Sequence, residues 1–216
     1  MLKHLFLDFD GVIHRSATQQ LRAAFSHVVR ENMDLPDSVV NQLFSSIQAM
    51  PYPAALRAML KWLGIADIDY AISQVHNCAP IGWRDQPDAK GIDSSVISLI
   101  RKARCAGMSV DILSSAPRQS SRLKLSLNAL ADLEVGWIAV EGHSKADPQT
   151  YRLAVAAKDC REPARCALVD DSIVAIAAAR AAGLIGYFSP SDSCSAELAT
   201  GGQNWAIGEI ECELFK

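Results

Sequence analysis

The spacing of apolar positions divides the chain into two parts. Between residues 16 and 78, apolar side chains recur at helical spacing in four successive stripes, and prolines separate the stripes. From residue 91 onward, helical stripes alternate with short, mainly apolar runs. Such runs are typical of strands in a buried parallel sheet. The pattern therefore predicts a four-helix insert followed by alternating strands and helices.

The apolar runs and stripes outside the insert also give the limits of the predicted elements. The predicted strands are Leu5–Leu7, Val110–Leu113, Val135–Val140, Ala167–Val169 and Leu184–Phe188. The helices predicted among them are Pro117–Leu130, Pro148–Lys158 and Ser172–Ala182, and a further stripe runs from Val96 to Ala103. In the weakly patterned tail, Trp205–Ile207 is interpreted as a short edge strand. Strands that alternate with helices form a parallel sheet with helices on both faces.

These elements predict an α/β fold with a three-layer, Rossmann-like parallel sheet core and an inserted all-helical cap domain. We expect residues 1–15 and 90–216 to form the core, residues 16–78 the helical cap, and residues 79–89 a return linker.

Composition and charge exclude several classes of function. A formal net charge of −3 argues against a broad basic surface for nucleic acid. Asp8 and Asp10 interrupt what would be the apolar region of a signal peptide, and no apolar stretch is long enough to span a bilayer. The six cysteines include no pair with CxxC spacing, so we expect free thiols in a reducing cytoplasm.

Two carboxylates follow the first predicted strand. Asp8 and Asp10 are two residues apart, so their side chains leave an extended chain on the same side, and Gly11 allows a sharp turn after them. Two neighbouring carboxylates repel unless a cation lies between them or one takes a proton. The pair is therefore a magnesium site, a nucleophile beside an acid/base, or only a strand that ends in a carboxylate turn.

Further polar side chains follow the later strands, and in a parallel sheet all of them face the same edge. They are Ser114, Ser115, Lys145, Asp170 and Asp171. A hydroxyl and an ammonium can bind phosphate oxygens, and carboxylates can hold Mg²⁺, which prefers oxygen ligands. One carboxylate is left to attack. The set suits phosphoryl transfer.

Four segments resemble, in order, the four motifs of the haloacid dehalogenase superfamily of hydrolases. They are Asp8–Val12, Leu113–Ser115, Lys145–Pro148 and Val169–Ser172. The resemblance covers the core from residue 1 to about residue 190. A helical insert between the first and second motifs is typical of the branch that holds small-molecule phosphatases, β-phosphoglucomutase and dehalogenases.

The resemblance implies a role for each motif residue. Asp8 would be the nucleophile that forms an aspartyl-phosphate, and Asp10 would protonate the leaving group and then activate water. Ser114, Ser115 and Lys145 would bind the phosphoryl group. Asp8, Asp171 and the backbone carbonyl of Asp10 would be ligands of Mg²⁺. Asp170 would lie in the surrounding shell and position Lys145.

The implied function is a magnesium-dependent hydrolase that removes phosphate from a small phosphorylated metabolite. The alternatives are a phosphomutase of the β-phosphoglucomutase type and a non-catalytic binding or regulatory protein on the same scaffold. Asp10 favours phosphate over halide, because the dehalogenases lack the second aspartate.

Two positions depart from the family pattern. Ala175 replaces an Asn or Asp that often supports the metal, and Ala146 replaces a proline that often follows the motif lysine. Losing a supporting group of this kind weakens metal affinity or activity by about 10- to 100-fold. His14 and Arg15, just after the first motif, either touch substrate or form a polar hinge.

Overall fold

A computed structural model of the protein describes residues 2–15, 17–48, 52–75, 92–114, 130, 132–140, 142–190 and 205–215. Within these residues, five strands form one parallel sheet in the order β3-β2-β1-β4-β5. The strands are β1 (His4–Leu7), β2 (Ser109–Ser114), β3 (Gly136–Ala139), β4 (Cys166–Asp170) and β5 (Ile185–Phe188). The sequence predicted all five.

The central strand of the sheet is β1, and the strand order reverses there. Leu7, the last residue of β1, pairs with Ile112 of β2 on one side and with Val169 of β4 on the other. The carboxyl ends of the three strands are therefore level with one another. Open α/β sheets bind ligands at such a switch point, outside the carboxyl ends of the strands.

The helical insert contains the four predicted helices. They are α1 (Ala17–Asn32), α2 (Asp37–Gln48), α3 (Tyr52–Trp62) and α4 (68–75). Phe25, Phe44, Leu56 and Val75 contribute one fully buried side chain from each helix to a common apolar cluster. The amphipathic stripes thus pack against each other, as their spacing predicts. Because residues 76–91 lie outside the described part of the chain, the domain boundaries stay a prediction.

Helices cover both faces of the sheet. They are α5 (Ser94–Cys105), α6 (Pro148–Ala156), α7 (Ile173–Ala181) and α8 (Ile207–Leu214). Leu5 and Leu7 of β1 pack in an apolar cluster with α5 and α8, and Phe6 packs in a second cluster with α6 and α7. Neighbouring strand residues point to opposite faces, so the three-layer α/β architecture is confirmed.

The C-terminal segment corrects one prediction. Trp205–Ile207 is not an edge strand, because α8 begins at Ile207. Glu209 accepts a hydrogen bond from the backbone N–H of Ala206 at 2.8 Å, and the backbone N–H of Trp205 donates to the carbonyl of Phe188 at 2.9 Å. The helix therefore has a capped start next to β5.

Two further findings concern the helices. The predicted helix Pro117–Leu130 lies outside the described residues except for Leu130, which is helical. Among the helices that the structure describes, none has the length and apolar character needed to cross a membrane.

Candidate active site

Asp8 begins the site at the centre of the sheet. Its backbone N–H donates to the carbonyl of Val169 at 2.9 Å, which continues the pairing of β1 and β4 by one residue. The Asp8 side chain is consequently held in a buried position between the two strands. The sheet fixes the direction in which this carboxylate leaves the chain.

A tight turn follows and contains Asp10. Gly11 N–H donates to the carbonyl of His14 at 3.0 Å, and His14 N–H donates to the carbonyl of Phe9 at 2.9 Å. Gly11 has a φ of +99°, which side chains of L residues disfavour. Asp10 is partly buried in this turn. The turn after β1 therefore has the sharpness that the sequence predicts.

Lys145 joins the carboxylates at the ends of two neighbouring strands. Its Nζ lies 2.6 Å from Asp8 Oδ1 and 2.9 Å from Asp170 Oδ2. Burial by itself lowers the pKa of Lys145, but Asp170 and Asp8 outweigh burial and raise it well above its usual value. Lys145 is therefore a firmly charged ammonium between two carboxylates.

The carboxyl group of Asp8 has its pKa raised well above the usual value. Burial is the largest cause, and the nearby carboxylates of Asp170, Asp171 and Asp10 raise it further, while Lys145 lowers it. One ammonium does not offset this concentration of negative charge. Such a cluster is stabilised by a proton or by a further cation.

The carboxylates of Asp8, Asp170 and Asp171 lie close enough together for a cation to bind among them. Each offers an oxygen atom, and these three atoms lie within 4.8 Å of one another. An all-oxygen donor set suits Mg²⁺. The carboxylate of Asp10 is not in this group. The resemblance assigns Asp10 to the metal through its backbone carbonyl, which is a different atom.

Asp170 already has partners for both of its oxygens. Oδ2 accepts from the ammonium of Lys145, and Oδ1 accepts from the backbone N–H of Ser172 at 2.9 Å. Asp170 is also almost completely buried, whereas Asp171 is partly exposed. These contacts suit a residue that positions Lys145, and the partial exposure of Asp171 suits a metal ligand.

Gly11 and Asp171 are in close proximity across the site. A Cβ atom built on Gly11 would overlap Oδ2 of Asp171, far inside the 3.0 Å that real Cβ atoms keep. The carboxylate of Asp171 thus occupies space that only a glycine leaves open. The glycine of the first motif and the second aspartate of the fourth motif are matched in shape.

The other predicted site residues are placed as follows. Ser114 is the buried last residue of β2, and its carbonyl accepts from the N–H of Val140 at 3.1 Å. It lies at the same edge of the sheet as Asp8. Ser115 lies outside the described residues.

The two residues that depart from the family pattern each have defined contacts in the structure. Ala175 is fully buried in the apolar cluster under α7, so its methyl group packs against the core. Ala146 donates its backbone N–H to Oγ of Ser144 at 3.1 Å. A proline at position 146 has no N–H to donate, so Ala146 adds a bond within the turn that carries Lys145.

Two residues of α6, which the sequence pattern does not indicate as site residues, hold this turn from behind. The hydroxyl of Tyr151 donates to the carbonyl of Lys145 at 2.9 Å, and the hydroxyl of Thr150 donates to the carbonyl of Ser144 at 2.6 Å. Both side chains are fully buried. The available signal was a pair of hydroxyls on the buried face of a helix directly after the motif lysine.

Arg15 connects the first motif to the rest of the core. Its Nε lies 3.0 Å from Asp93 Oδ2, and its Nη1 donates to the carbonyl of Pro190 at 2.7 Å. Burial alone raises the pKa of Asp93, but its bonds from Ser95 and Arg15 lower it overall. These contacts connect Arg15 to the residue that caps α5 and to the segment after β5. His14 beside it is buried.

Comparison with known proteins gives one family and one fold. The family model described as haloacid dehalogenase-like hydrolase matches residues 2–183. The comparison with curated proteins gives no match.

Three solved structures are similar over nearly their whole length. β-Phosphoglucomutase from Clostridium difficile is 14% identical with a TM-score of 0.70, covering 88% of this chain and 85% of its own. CbbY from Rhodobacter sphaeroides in complex with phosphate is 17% identical with a TM-score of 0.70, covering 97% and 96%. A HAD phosphatase from Thermococcus onnurineus is 17% identical with a TM-score of 0.64, covering 99% and 98%.

Proposed function

The chain belongs to the haloacid dehalogenase-like hydrolases, and from that membership we propose that it is a magnesium-dependent phosphatase acting on a small phosphorylated metabolite. One observation carries the proposal: the Lys145 ammonium lies against Asp8 and Asp170, and Asp171 brings a third carboxylate oxygen within 4.8 Å of those of the two aspartates. A nucleophile, a phosphate-binding cation and oxygen ligands for a metal are then within one site.

Asp8 and Asp10 carry the covalent chemistry in two steps. An oxygen of Asp8 attacks phosphorus, the bond from phosphorus to the substrate oxygen breaks, and Asp10 gives that oxygen a proton. Asp10 then removes a proton from water, whose oxygen attacks phosphorus and releases phosphate from Asp8. The covalent intermediate divides one difficult displacement into two easier ones.

The remaining residues bind and orient the phosphoryl group. Lys145 and the hydroxyls of Ser114 and Ser115 would contact its oxygens and compensate the negative charge that concentrates there. Lys145 also favours the ionised form of Asp8 that attack requires. Asp170 keeps the ammonium of Lys145 directed at the site through its 2.9 Å contact.

The residues present fit a magnesium ion. Asp8, Asp171 and the backbone carbonyl of Asp10 would hold it, while Asp170 remains engaged with Lys145 and Ser172. When bound, Mg²⁺ supplies the positive charge that lets these carboxylates ionise together and that polarises the phosphoryl oxygens.

A phosphomutase is the second candidate, because it needs the same two aspartates. The fold is shared with a β-phosphoglucomutase, and a mutant of CbbY with the same fold has been solved with xylulose-(1,5)bisphosphate. A bisphosphorylated sugar therefore discriminates between the two. A phosphatase converts it to a sugar monophosphate and free phosphate. A mutase instead transfers one of its phosphoryl groups to Asp8 and from there to a second sugar monophosphate, which regenerates a bisphosphate.

The first test is phosphate release from an aryl phosphate and from a bisphosphorylated sugar, with and without magnesium. We expect magnesium-dependent release that Asp8→Asn abolishes and that Asp34→Asn, at an exposed position, leaves unchanged. Absence of release from the folded protein, together with no binding of magnesium and beryllium fluoride, contradicts the proposal. Binding of both without release of phosphate favours the non-catalytic alternative.

A further inference from the structure

A pair of thiols lies at the edge of the sheet opposite the candidate active site. Cys166 is the first residue of β4, whose last residue, Asp170, contacts Lys145. The Cys166 thiol donates to Sγ of Cys160 at 2.8 Å. This separation is only about 0.8 Å longer than a disulfide bond. The two sulfurs therefore need only a small movement to reach bonding distance.

The two thiols differ in their access to solvent. Cys166 is fully buried, whereas Cys160 is partly exposed. Burial is the main cause that raises the pKa of Cys166 to about 12, and the contact with Cys160 adds to it. A dissolved oxidant therefore reaches Cys160 first, and Cys166 remains a protonated thiol that is shielded from solvent and lies next to Cys160.

We propose that Cys160 and Cys166 form a modification site at which a hydroperoxide closes a reversible disulfide. This inference does not depend on the proposed phosphatase activity. The Cys160 sulfur attacks an oxygen of the hydroperoxide, the O–O bond breaks, and the products are a Cys160 sulfenic acid and water or an alcohol. The Cys166 sulfur then attacks the Cys160 sulfur, and the hydroxyl of the sulfenic acid leaves with the Cys166 proton as water.

A metal does not account for this pair equally well. In the part of the chain that the structure describes, only Asp8, Asp170 and Asp171 form a group of three or more His, Cys, Asp or Glu side chains close enough to share a metal ion. No third ligating side chain therefore joins the two cysteines there. A structural zinc site takes four protein ligands. Both thiols also contact the carbonyl of Glu162, at 3.4 Å from Cys160 and 4.0 Å from Cys166.

The disulfide would connect two elements that support the candidate active site. Cys160 follows α6, and its backbone N–H donates to the carbonyl of Val155 at 3.2 Å. Cys166 starts β4. Because Tyr151 on α6 and Asp170 on β4 both contact Lys145, the bridge would link the helix and the strand that place this lysine.

Peptide mapping tests the proposal directly. Trypsin cuts after Arg161 and Arg165, so the two cysteines fall on separate peptides unless a disulfide joins them. The full-length protein is treated with hydrogen peroxide, blocked with iodoacetamide and digested. We expect the linked pair, lighter than the two reduced peptides by two hydrogen atoms, and its disappearance after dithiothreitol. Recovery of both cysteines alkylated, or of Cys160 as a sulfinic acid in the unsubstituted protein, overturns the proposal.

Three variants assign the roles of the sulfurs. Cys166→Ser is expected to leave Cys160 as a sulfenic acid, trapped by dimedone, and Cys160→Ser to leave Cys166 unoxidised. Cys105→Ser, at an exposed cysteine outside the pair, is the matched control and should retain the linked pair. If the buried Cys166→Ser does not fold, Cys160→Ser still decides the order, since oxidation of Cys166 there contradicts it.

Discussion

The hydroxyl of Tyr151 donates a hydrogen bond to the backbone carbonyl of Lys145 at 2.9 Å. Tyr151 is fully buried on α6, and the ammonium of Lys145 lies 2.6 Å from Asp8 at the other end of its side chain. The helix therefore fixes the backbone from which the lysine reaches into the site. Burial is also the main cause that raises the pKa of Tyr151, so this phenol stays a donor.

Tyr151→Phe should lower kcat of magnesium-dependent phosphate release by about tenfold and change KM little. The substitution keeps the ring and removes only the donor, which leaves the Lys145 carbonyl buried without its hydroxyl partner. Lys145 then shifts relative to Asp8, and transition-state contacts suffer more than substrate binding. Steady-state kinetics of Tyr151→Phe measures the changes in kcat and in KM separately. Tyr70→Phe, at an exposed tyrosine, is the matched control.

An unchanged kcat in Tyr151→Phe means that this residue only packs. A fall in kcat that Tyr70→Phe reproduces would also contradict a positioning role for Tyr151. Exposed Tyr70 lies on α4 of the insert, outside the turn that carries Lys145.

Gly11→Ala should weaken the apparent affinity for magnesium by about 10- to 100-fold. The new Cβ atom overlaps the Asp171 carboxylate, which must move away from Asp8. Gly107→Ala is the matched control, because Gly107 also has a positive φ, of +77°, yet a Cβ atom there meets nothing within 4 Å. Both variants bear the same kind of backbone strain, and only one disturbs the carboxylate.

Magnesium titration of phosphate release, or calorimetric titration of the metal alone, distinguishes the two glycine variants. Equal magnesium affinities of Gly11→Ala and Gly107→Ala would show that the new Cβ atom at position 11 does not itself weaken magnesium binding. Equal affinities would also show that Asp171 does not need the space beside Gly11.

The sheet was predictable because each strand is a short apolar run with a polar residue after it. Asp8, Lys145 and Asp170 could be placed at one edge because each follows a strand of the predicted parallel sheet. The contacts of Lys145 with both aspartates agree with that placement. Trp205–Ile207 was misassigned because three apolar residues do not distinguish a strand from the first turn of a helix.

Contacts that depend on how helices pack onto the sheet could not be predicted. Tyr151 has the spacing of a core residue in α6, and nothing in the sequence shows that its hydroxyl reaches the Lys145 carbonyl. Cys160 and Cys166 are six residues apart, and only the connection from α6 to β4 brings their sulfurs to 2.8 Å.

Asp111→Asn should destabilise the protein at pH 7 by about 2 kcal/mol, and this deficit should shrink in acid. Buried Asp111 lies 2.8 Å from His4 Nε2 and 2.5 Å from Lys158 Nζ. Burial alone raises its pKa, but the neighbouring His4 and Lys158 side chains lower it overall. The stabilisation is therefore present above about pH 4, the pKa of an unfolded aspartate, and is lost as the pH falls through the lower folded-state value.

Urea unfolding of the Asp111 variant and the unsubstituted protein, from pH 7 down to the lowest pH at which both fold, measures this difference. Asp132→Asn, at an exposed aspartate, serves as the control and should change little. A deficit that stays constant with pH would indicate lost packing instead of a lost charge.

Asp8→Asn should have the opposite sign in the metal-free protein. Burial raises the pKa of Asp8 in the folded state, so the folded protein keeps a proton that the unfolded chain has lost. Its favourable contribution is complete below about pH 4 and disappears as the pH rises through the folded-state value, after which the charge destabilises the fold. The neutral amide avoids this cost, so we expect a gain on the order of 1 kcal/mol at pH 7 and none near pH 4.

Urea unfolding with a chelator at both pH values measures the gain, and added magnesium should stabilise the unsubstituted protein more than Asp8→Asn. A variant that is less stable than the unsubstituted protein at pH 7 would show that the Lys145 contact outweighs burial, and that Asp8 is ionised without any metal.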